Sequence, residues 1–349
     1  MSQILIAKTL LGAGLGICIV FFPLLTVGQS PITSRFVNLT HRASNGDVIA
    51  QVELGADWIA GDYGRRDYVQ AVHWFEAACA QGSADGCAWL GSCKIMARGT
   101  ALDPEIGTKL VNEAISTGSS VGLRVKADLI SSGKWPKPHD GPPIADLYSI
   151  AALQGDAIAN DKVGSIYLEG RGLRRDLNKA AKFFYLGSLL GNADAQLHLG
   201  QMYESSLGFD DPMPYGERSG RSSIEMAMYF YNKASEKNNR IAQYRWASIL
   251  RSRPSSEQDV IHARALYEAS SVHQYGIARL ALAQMLEAGQ GGPADLPRAL
   301  SLFWDAADKS VPGADDAARR LHDKASSDIV AAAEVKLKLL RQLDSRFQK

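Results

Sequence analysis

The stretch that decides the fold runs Gly155-Asp156-Ala157-Ile158-Ala159-Asn160-Asp161-Lys162-Val163-Gly164-Ser165-Ile166-Tyr167-Leu168-Glu169-Gly170-Arg171-Gly172. After three further residues it continues Asp176-Leu177-Asn178-Lys179-Ala180-Ala181-Lys182-Phe183-Phe184-Tyr185 and closes at Gly191. Small and apolar residues recur at helical spacing in the first part. Glycines mark a turn, and Asp176 sits where its carboxylate can accept from a free N–H of a second helix's first turn. The pattern predicts two short antiparallel helices. Neither can bury its apolar face alone, so the stretch requires neighbours built like itself.

Those neighbours are present. In the register of Asp176 lie Asp67, Asp103, Asp140, Ser223, Asp259 and Asp295, and the successive gaps through the chain are 36, 37, 36, 47, 36 and 36 residues. All are residues that cap helix N-termini well. Pro104, Pro142 and Pro297 follow within a first turn, where a missing N–H is harmless. Seven residues after each cap position stand Trp74, Leu110, Leu147, Phe183, Phe230, Leu266 and Leu302; the next column reads Phe75, Val111, Tyr148, Phe184, Tyr231, Tyr267 and Phe303. These large side chains are expected to form the core between helices. A small residue recurs in the preceding helix, at Gly55, Gly91, Ala127, Gly164, Gly200, Ala247 and Ala283, which permits close helix approach. Gly82, Gly118, Gly155, Gly191 and Asn238 mark helix ends, being residues that tolerate the left-handed closing conformation. Lys126, beside Ala127, makes the third unit the most divergent.

The expected architecture is all-α: a right-handed α-solenoid of about seven helix–turn–helix units of ~36 residues, filling residues 47–324. An eighth first helix is expected near Asp315–Lys324. A C-terminal capping helix follows within residues 325–349, with Val335, Leu339, Leu340 and Leu343 as its apolar periodicity. Residues 29–46 are polar, lack a clear period and read as a tether.

Before them, Thr9–Val27 is an unbroken run of uncharged residues following Lys8. It is longer than the usual apolar core of a secretory signal and long enough to span a bilayer, so residues 1–28 fit either a cleaved signal peptide or a membrane anchor. The charges flanking it, Lys8 on one side and Arg35 and Arg42 on the other, leave its orientation open. With 46% apolar residues, 21% charged and a formal net charge of +1, the chain is globular. It lacks the concentrated basic surface that nucleic acid binding requires.

At this point Leu54-Gly55, Leu90-Gly91, Val163-Gly164-Ser165-Ile166-Tyr167 with Gly170-Arg171-Gly172, and Asp176 with Lys179-Ala180-Ala181 resemble SEL-one-like repeats, the SLR relatives of tetratricopeptide repeats. The resemblance implies a protein-binding α-solenoid, with stacked first helices lining a concave surface, and no shared catalytic residues. Many such bacterial proteins are exported to serve envelope assembly, signalling or host contact. Cys79 and Cys87, on either side of the Gly82-Ser83-Ala84-Asp85 turn, resemble the inter-helix disulfide of the cysteine-rich secreted branch. Two buried thiols are the alternative. The resemblance thus implies a periplasmic or secreted location, with inner-membrane anchoring by residues 9–27 as a variant.

The sequence offers little chemistry. His73 and Glu76 share a helical face, as solvated pairs often do, and Cys93 reads as a buried thiol. The cysteines and histidines lack zinc spacing, and neither a His-Glu-x-x-His, a phosphate-cradling glycine loop nor a Gly-x-Ser-x-Gly elbow occurs. No cofactor or metal is expected. The expected function is that of a non-catalytic scaffold mediating protein–protein interaction at the bacterial cell envelope. The competing reading is a cell-wall- or polysaccharide-associated protein, extending to an envelope enzyme acting on peptidoglycan or β-lactams.

Partner contacts are expected where units depart from the pattern. The third unit replaces its glycine turn with Lys134-Trp135-Pro136-Lys137-Pro138-His139. The fifth carries about eleven extra residues within Ser206–Ser222, including Phe209, Tyr215 and Arg218. Arg65, Arg66, Arg171, Arg174 and Arg175 crowd the turns between paired helices. They read as solvated turn charge, with an electropositive rim for an acidic partner or polysaccharide as the alternative.

Overall fold

The computed structural model describes residues 31–61, 66–135, 143–213, 220–272 and 275–348. Its regular elements are all helices. The first, α1 (Pro31–Ser44), precedes a series of antiparallel pairs: α2 (Val48–Ala60) with α3 (Tyr68–Ala80), α4 (Ala84–Met96) with α5 (Pro104–Ser116), α6 (Ser120–Ser131) with α7 (Ile144–Leu153), and α8 (Ala157–Glu169) with α9 (Leu177–Leu189). Then come α10 (Ala193–Glu204) with α11 (Ser223–Glu236), α12 (Arg240–Ser252) with α13 (Glu257–Val272), and α14 (Gly276–Ala288) with α15 (Leu296–Asp308). The short α16 (Ala314–His322) and the long α17 (Ser327–Gln348) close the chain. Each pair packs on the next, which makes the molecule an α-solenoid.

The column of large residues eight positions after the cap is the deepest: Phe75, Val111, Phe184, Tyr231 and Phe303 are fully enclosed. The small-residue column explains how they fit. A Cβ added to Gly164 would lie 2.6 Å from the Phe184 ring, and one added to Gly91 would lie 2.6 Å from the Gly107 carbonyl oxygen. Paired helices therefore meet nearly backbone to ring, or backbone to backbone.

Capping follows two columns. Asp67, Asp103, Asp176 and Asp295 cap second helices as expected. The other predicted caps shift. Ser222, not Ser223, opens α11, with Glu225 completing a capping box. α13 starts two residues before Asp259, whose carboxylate accepts from the Ser255 and Ser256 N–H groups at 2.8 and 3.2 Å. α7 starts after Pro143 without a side-chain cap. Asp140 and Pro142 lie outside the described residues.

The second column went unread in the sequence. Asp47, Ser83, Ser119, Asp156, Asn192 and Asn239 cap the first helices, each directly after a left-handed residue. All six also close the helix before. The N–H groups of Asp47, Ser83, Ser119, Asp156, Asn192 and Asn239 donate to Arg42, Ala78, Ala114, Ala151, Gly187 and Ala234, the outer bond of a Schellman closure.

Two expectations are corrected. The presumed tether is largely α1: Leu39 and Ala43 are buried against α2, and Phe36 meets Trp58 edge-on at 5.8 Å. Its apolar stripe is short and set among polar residues, which hid the period. In α17, Val335, Leu339 and Leu343 are 62, 55 and 49% exposed, while Ala333 is buried and Val330 and Leu340 pack on the core. The helix is turned to bring Asp344 inward onto Arg279.

Candidate partner-binding surfaces

In four first helices the fourth residue ties the helix to the one before. Gln51 Nε2 donates to the Ala43 carbonyl, Asn160 Nδ2 to Ala152 and Gln196 Nε2 to Ser188, at 3.1, 3.2 and 3.3 Å. Arg279 Nε donates to Ser271 at 3.0 Å. Every partner is eight residues back. In the second unit the same two places hold Cys79 and Cys87, which form a disulfide with Cα atoms 4.6 Å apart. The bridge is thus a covalent version of the amide clamp.

Buried ionisable groups are also committed to stacking. Arg124 Nε donates to Asp156 at 2.9 Å and its guanidinium lies 5.1 Å from the Trp89 ring. Tyr148 donates to Asp128 at 2.6 Å, and burial, reinforced by that carboxylate, pushes its phenol upward. Cys93 is enclosed and burial raises its thiol to about 11, which suits an inert side chain. His73 and Glu76 are both exposed on α3. Among the described residues no group of three or more His, Cys, Asp or Glu is placed to hold a metal ion.

One tie rests on a titratable histidine. His198 on α10 meets Asp161 on α8 at 2.7 Å, with Asp194 and Lys162 nearby and the Phe184 ring at 5.0 Å. Burial opposes the imidazolium, but the Asp161 hydrogen bond and charge outweigh it and raise the group above 6.5. A raised folded-state value means that the pair's stabilisation is fully present below the unfolded value and is lost as pH rises through the folded one. The urea midpoint is therefore expected to fall as pH rises from 6 through 6.5 and beyond. The same titration of His198→Gln should lack that component; identical slopes in both proteins would remove the assignment.

Of the predicted partner residues, Trp135 and Phe209 are less exposed than expected. Trp135 is half-buried, packed with the cluster of Ile95, Val111, Val125 and Leu129, with Lys126 Nζ 5.0 Å from its ring. Phe209 is half-buried against Tyr203, centroids 5.1 Å apart. Tyr215 and Arg218 lie outside the described residues, as does the run 9–27. The described part of the insertion is stitched down. Asn178 on α9 donates to Asp210 at 2.7 Å and accepts from the Asp210 N–H at 2.8 Å, and Tyr203 donates to Asp211 at 2.7 Å.

The exposed apolar surface lies elsewhere. Ile150, Leu153, Leu186, Leu189 and Leu190 are 43, 82, 38, 63 and 51% exposed near the C-terminal ends of α7 and α9. A Cβ on Gly187 would sit 3.2 Å from the Ala157 carbonyl oxygen, so the last turns of α9 cross the first turn of α8, just past the end of α7. The two helix ends therefore share one edge of the solenoid. In the neighbouring units the equivalent places hold Glu113, Ser116 and Thr117, or Lys233, Glu236 and Lys237. Stacking does not require leucine there. Sequence reading missed this patch because it searched loops rather than comparing the outer columns unit by unit.

A model of the Sel1 repeat matches residues 48–83, 157–192, 193–212, 215–239 and 274–310. The chain carries Sel1 repeats. Three of the matches coincide with the pairs α2–α3, α8–α9 and α14–α15, and two together cover the fifth unit, broken only at residues 213–214 within its insertion. The Sel1-repeat-containing protein YjcO of Escherichia coli (strain K12) is 30% identical over 152 residues, covering 42% of this chain and 64% of its own length. The YjcO protein of Shigella flexneri gives the same values. The chain thus spans 64% of the length of these curated relatives. The crystal structure of a Sel1 repeat protein from Oxalobacter formigenes matches with a TM-score of 0.57 at 23% identity, covering 83% of this chain and 80% of that one, a likeness of fold. Repeats of this type are protein-interaction scaffolds, which is the class the Sel1 match indicates.

Proposed function

We propose that this chain is a non-catalytic scaffold that binds protein partners at the bacterial cell envelope, on the periplasmic or extracellular side. The observation that carries the reading is the leucine-rich edge of the third and fourth units. Leu153 and Leu189 stand out in solvent where adjoining units place polar residues, and contiguous exposed apolar surface of this kind marks interaction sites. The Cys79–Cys87 bridge supports an oxidising compartment, and the uncharged Thr9–Val27 run supports export or anchoring. Contacts of first helix with first helix, α4 with α6 and α8 with α10, support their lining the inner face of the stack.

The test is a photo-crosslinking residue at Leu190 in intact cells, followed by mass spectrometry of the adducts. A discrete protein adduct is expected. Leu153→Glu with Leu189→Glu removes two anchors, each contributing about 1.5–3 kcal/mol if fully buried, so recovery of the adduct should drop at least roughly tenfold. Equal recovery from the double variant would refute the surface.

A further inference from the structure

On the opposite edge, where the turns within each pair lie, a groove of about 650 Å³ separates the α8–α9 turn from the insertion of the fifth unit. Tyr167, Leu173, Arg174, Arg175, Lys179 and Gly208 line it, together with Asp176, Leu177 and Asn178. Its floor is apolar and preformed: Tyr167 stacks on Phe183 at 5.9 Å, and Lys179 Nζ lies 5.1 Å from the Tyr167 centroid. Its far wall is fixed by the reciprocal Asn178–Asp210 hydrogen bonds.

The charges are unequal. Three cations line the groove. The two nearby carboxylates already accept hydrogen bonds, Asp176 from the Lys179 N–H at 3.0 Å and Asp210 from Asn178 at 2.7 Å. Lys179 Nζ lies 3.8 Å from Asp176, and Arg175 Nε donates to the Leu168 carbonyl at 3.0 Å. Arg174 is exposed. The turn itself does not need these cations, since the second unit has Ala101 and Leu102, and the seventh Pro293 and Ala294, in the places of Arg174 and Arg175.

We infer that this groove binds an acidic segment of a protein partner, its carboxylates against Arg174, Arg175 and Lys179 and an apolar side chain against Tyr167 and Leu173. The inference rests on the scaffold reading and adds a second surface to it. The groove is open and lined by the consecutive residues 173–179, which fits an extended chain.

The experiment is fluorescence anisotropy of the full chain with a labelled peptide of glutamates around one tyrosine, beside its glutamine counterpart and a sulfated glycan fragment. The glutamate peptide should bind, and more weakly as salt rises. The glutamine peptide should not. Arg174→Glu with Lys179→Glu should weaken binding at least roughly tenfold, because two attractive contacts become repulsive, while Arg319→Glu on α16 should leave it intact. Circular dichroism confirms that the variants fold. Equal binding of both peptides, wild-type affinity in the double variant, an equal loss in Arg319→Glu, or tighter binding of the glycan than of the glutamate peptide would each overturn the inference. Loss of peptide binding with the Leu190 adduct intact removes the groove alone. Loss of the adduct with peptide binding intact removes the leucine edge alone.

Discussion

Replacing Arg279 with methionine should destabilise the chain by about 3–5 kcal/mol, the usual loss when one member of a buried ion pair is removed. Arg279 is fully enclosed and donates to Asp305 at 2.5 Å and to Asp344 through two bonds of 2.7 Å. Lys309 reaches the same two carboxylates at 2.7 and 3.0 Å. Methionine matches the stem of the side chain but leaves Asp305 and Asp344 buried without the guanidinium, and the Ser271 carbonyl loses its donor. Because Asp344 lies on α17, the loss should be local: hydrogen exchange in α17 and α15 should accelerate first, and urea denaturation should report the total. Replacing Asp305 and Asp344 by leucine in the same protein should recover most of the loss, since the charge that remains, on Lys309, is exposed to solvent. Burial opposes the Asp344 carboxylate, but hydrogen bonds from Arg279 and Lys309 outweigh it and hold it below the usual range. Docking of α17 is therefore fully stabilised above pH 3.8 and weakens as pH falls through the lower folded value. A loss below about 1 kcal/mol in Arg279→Met would show that the network adds little.

Opening the Cys79–Cys87 bridge should remove about 2–3 kcal/mol. The cysteines are 8 residues apart, and closing so short a loop restricts the unfolded chain by about that amount in the entropic model. Cys87→Ser should show this directly, as should reduction of the wild type before thermal unfolding. The clamp column adds a sharper expectation. Cys79→Ala combined with Cys87→Gln should be more stable than Cys79→Ala combined with Cys87→Ser. A glutamine at this place can donate to the carbonyl eight residues back, as Gln51 and Gln196 do. If the serine version is the more stable, the equivalence of bridge and amide clamp is wrong.

The repeat was legible because stacking recurs. Asp176, the Gly164–Phe184 contact and the left-handed Gly191 each answer a constraint that every unit faces, so each is one member of a column. What escaped was what a single column could not reveal. Asp156 went unread as a cap, yet it belongs to the preceding turn as well as to the following helix. Ser223 sat in the right register, but the insertion let the chain cap one residue earlier with Ser222 and Glu225. In α17 the leucines suggested the buried face, whereas the pairing of Asp344 with a residue 65 positions away set the rotation. Trp135 and Phe209 carried the signature of exposed anchors, but both are half-buried against apolar clusters of the array. The leucine edge was visible only as a contrast between neighbouring units in columns that stacking leaves free.

The clamps also set where the array gives way. A stack of like units normally frays from its ends inward. Here the ends are fastened hardest, by a covalent bond between α3 and α4 and by an ionic lock among α14, α15 and α17. Between them the backbone clamps are single amides, joined by the Arg124–Asp156 and His198–Asp161 pairs, and at Asn160, Gln196 and Gln243 the amide oxygen is buried without a protein partner. Under heat or tension the array should part in the middle first. The breach would open beside the fourth and fifth units, releasing two half-solenoids that each keep a fastened terminus from which to rewind.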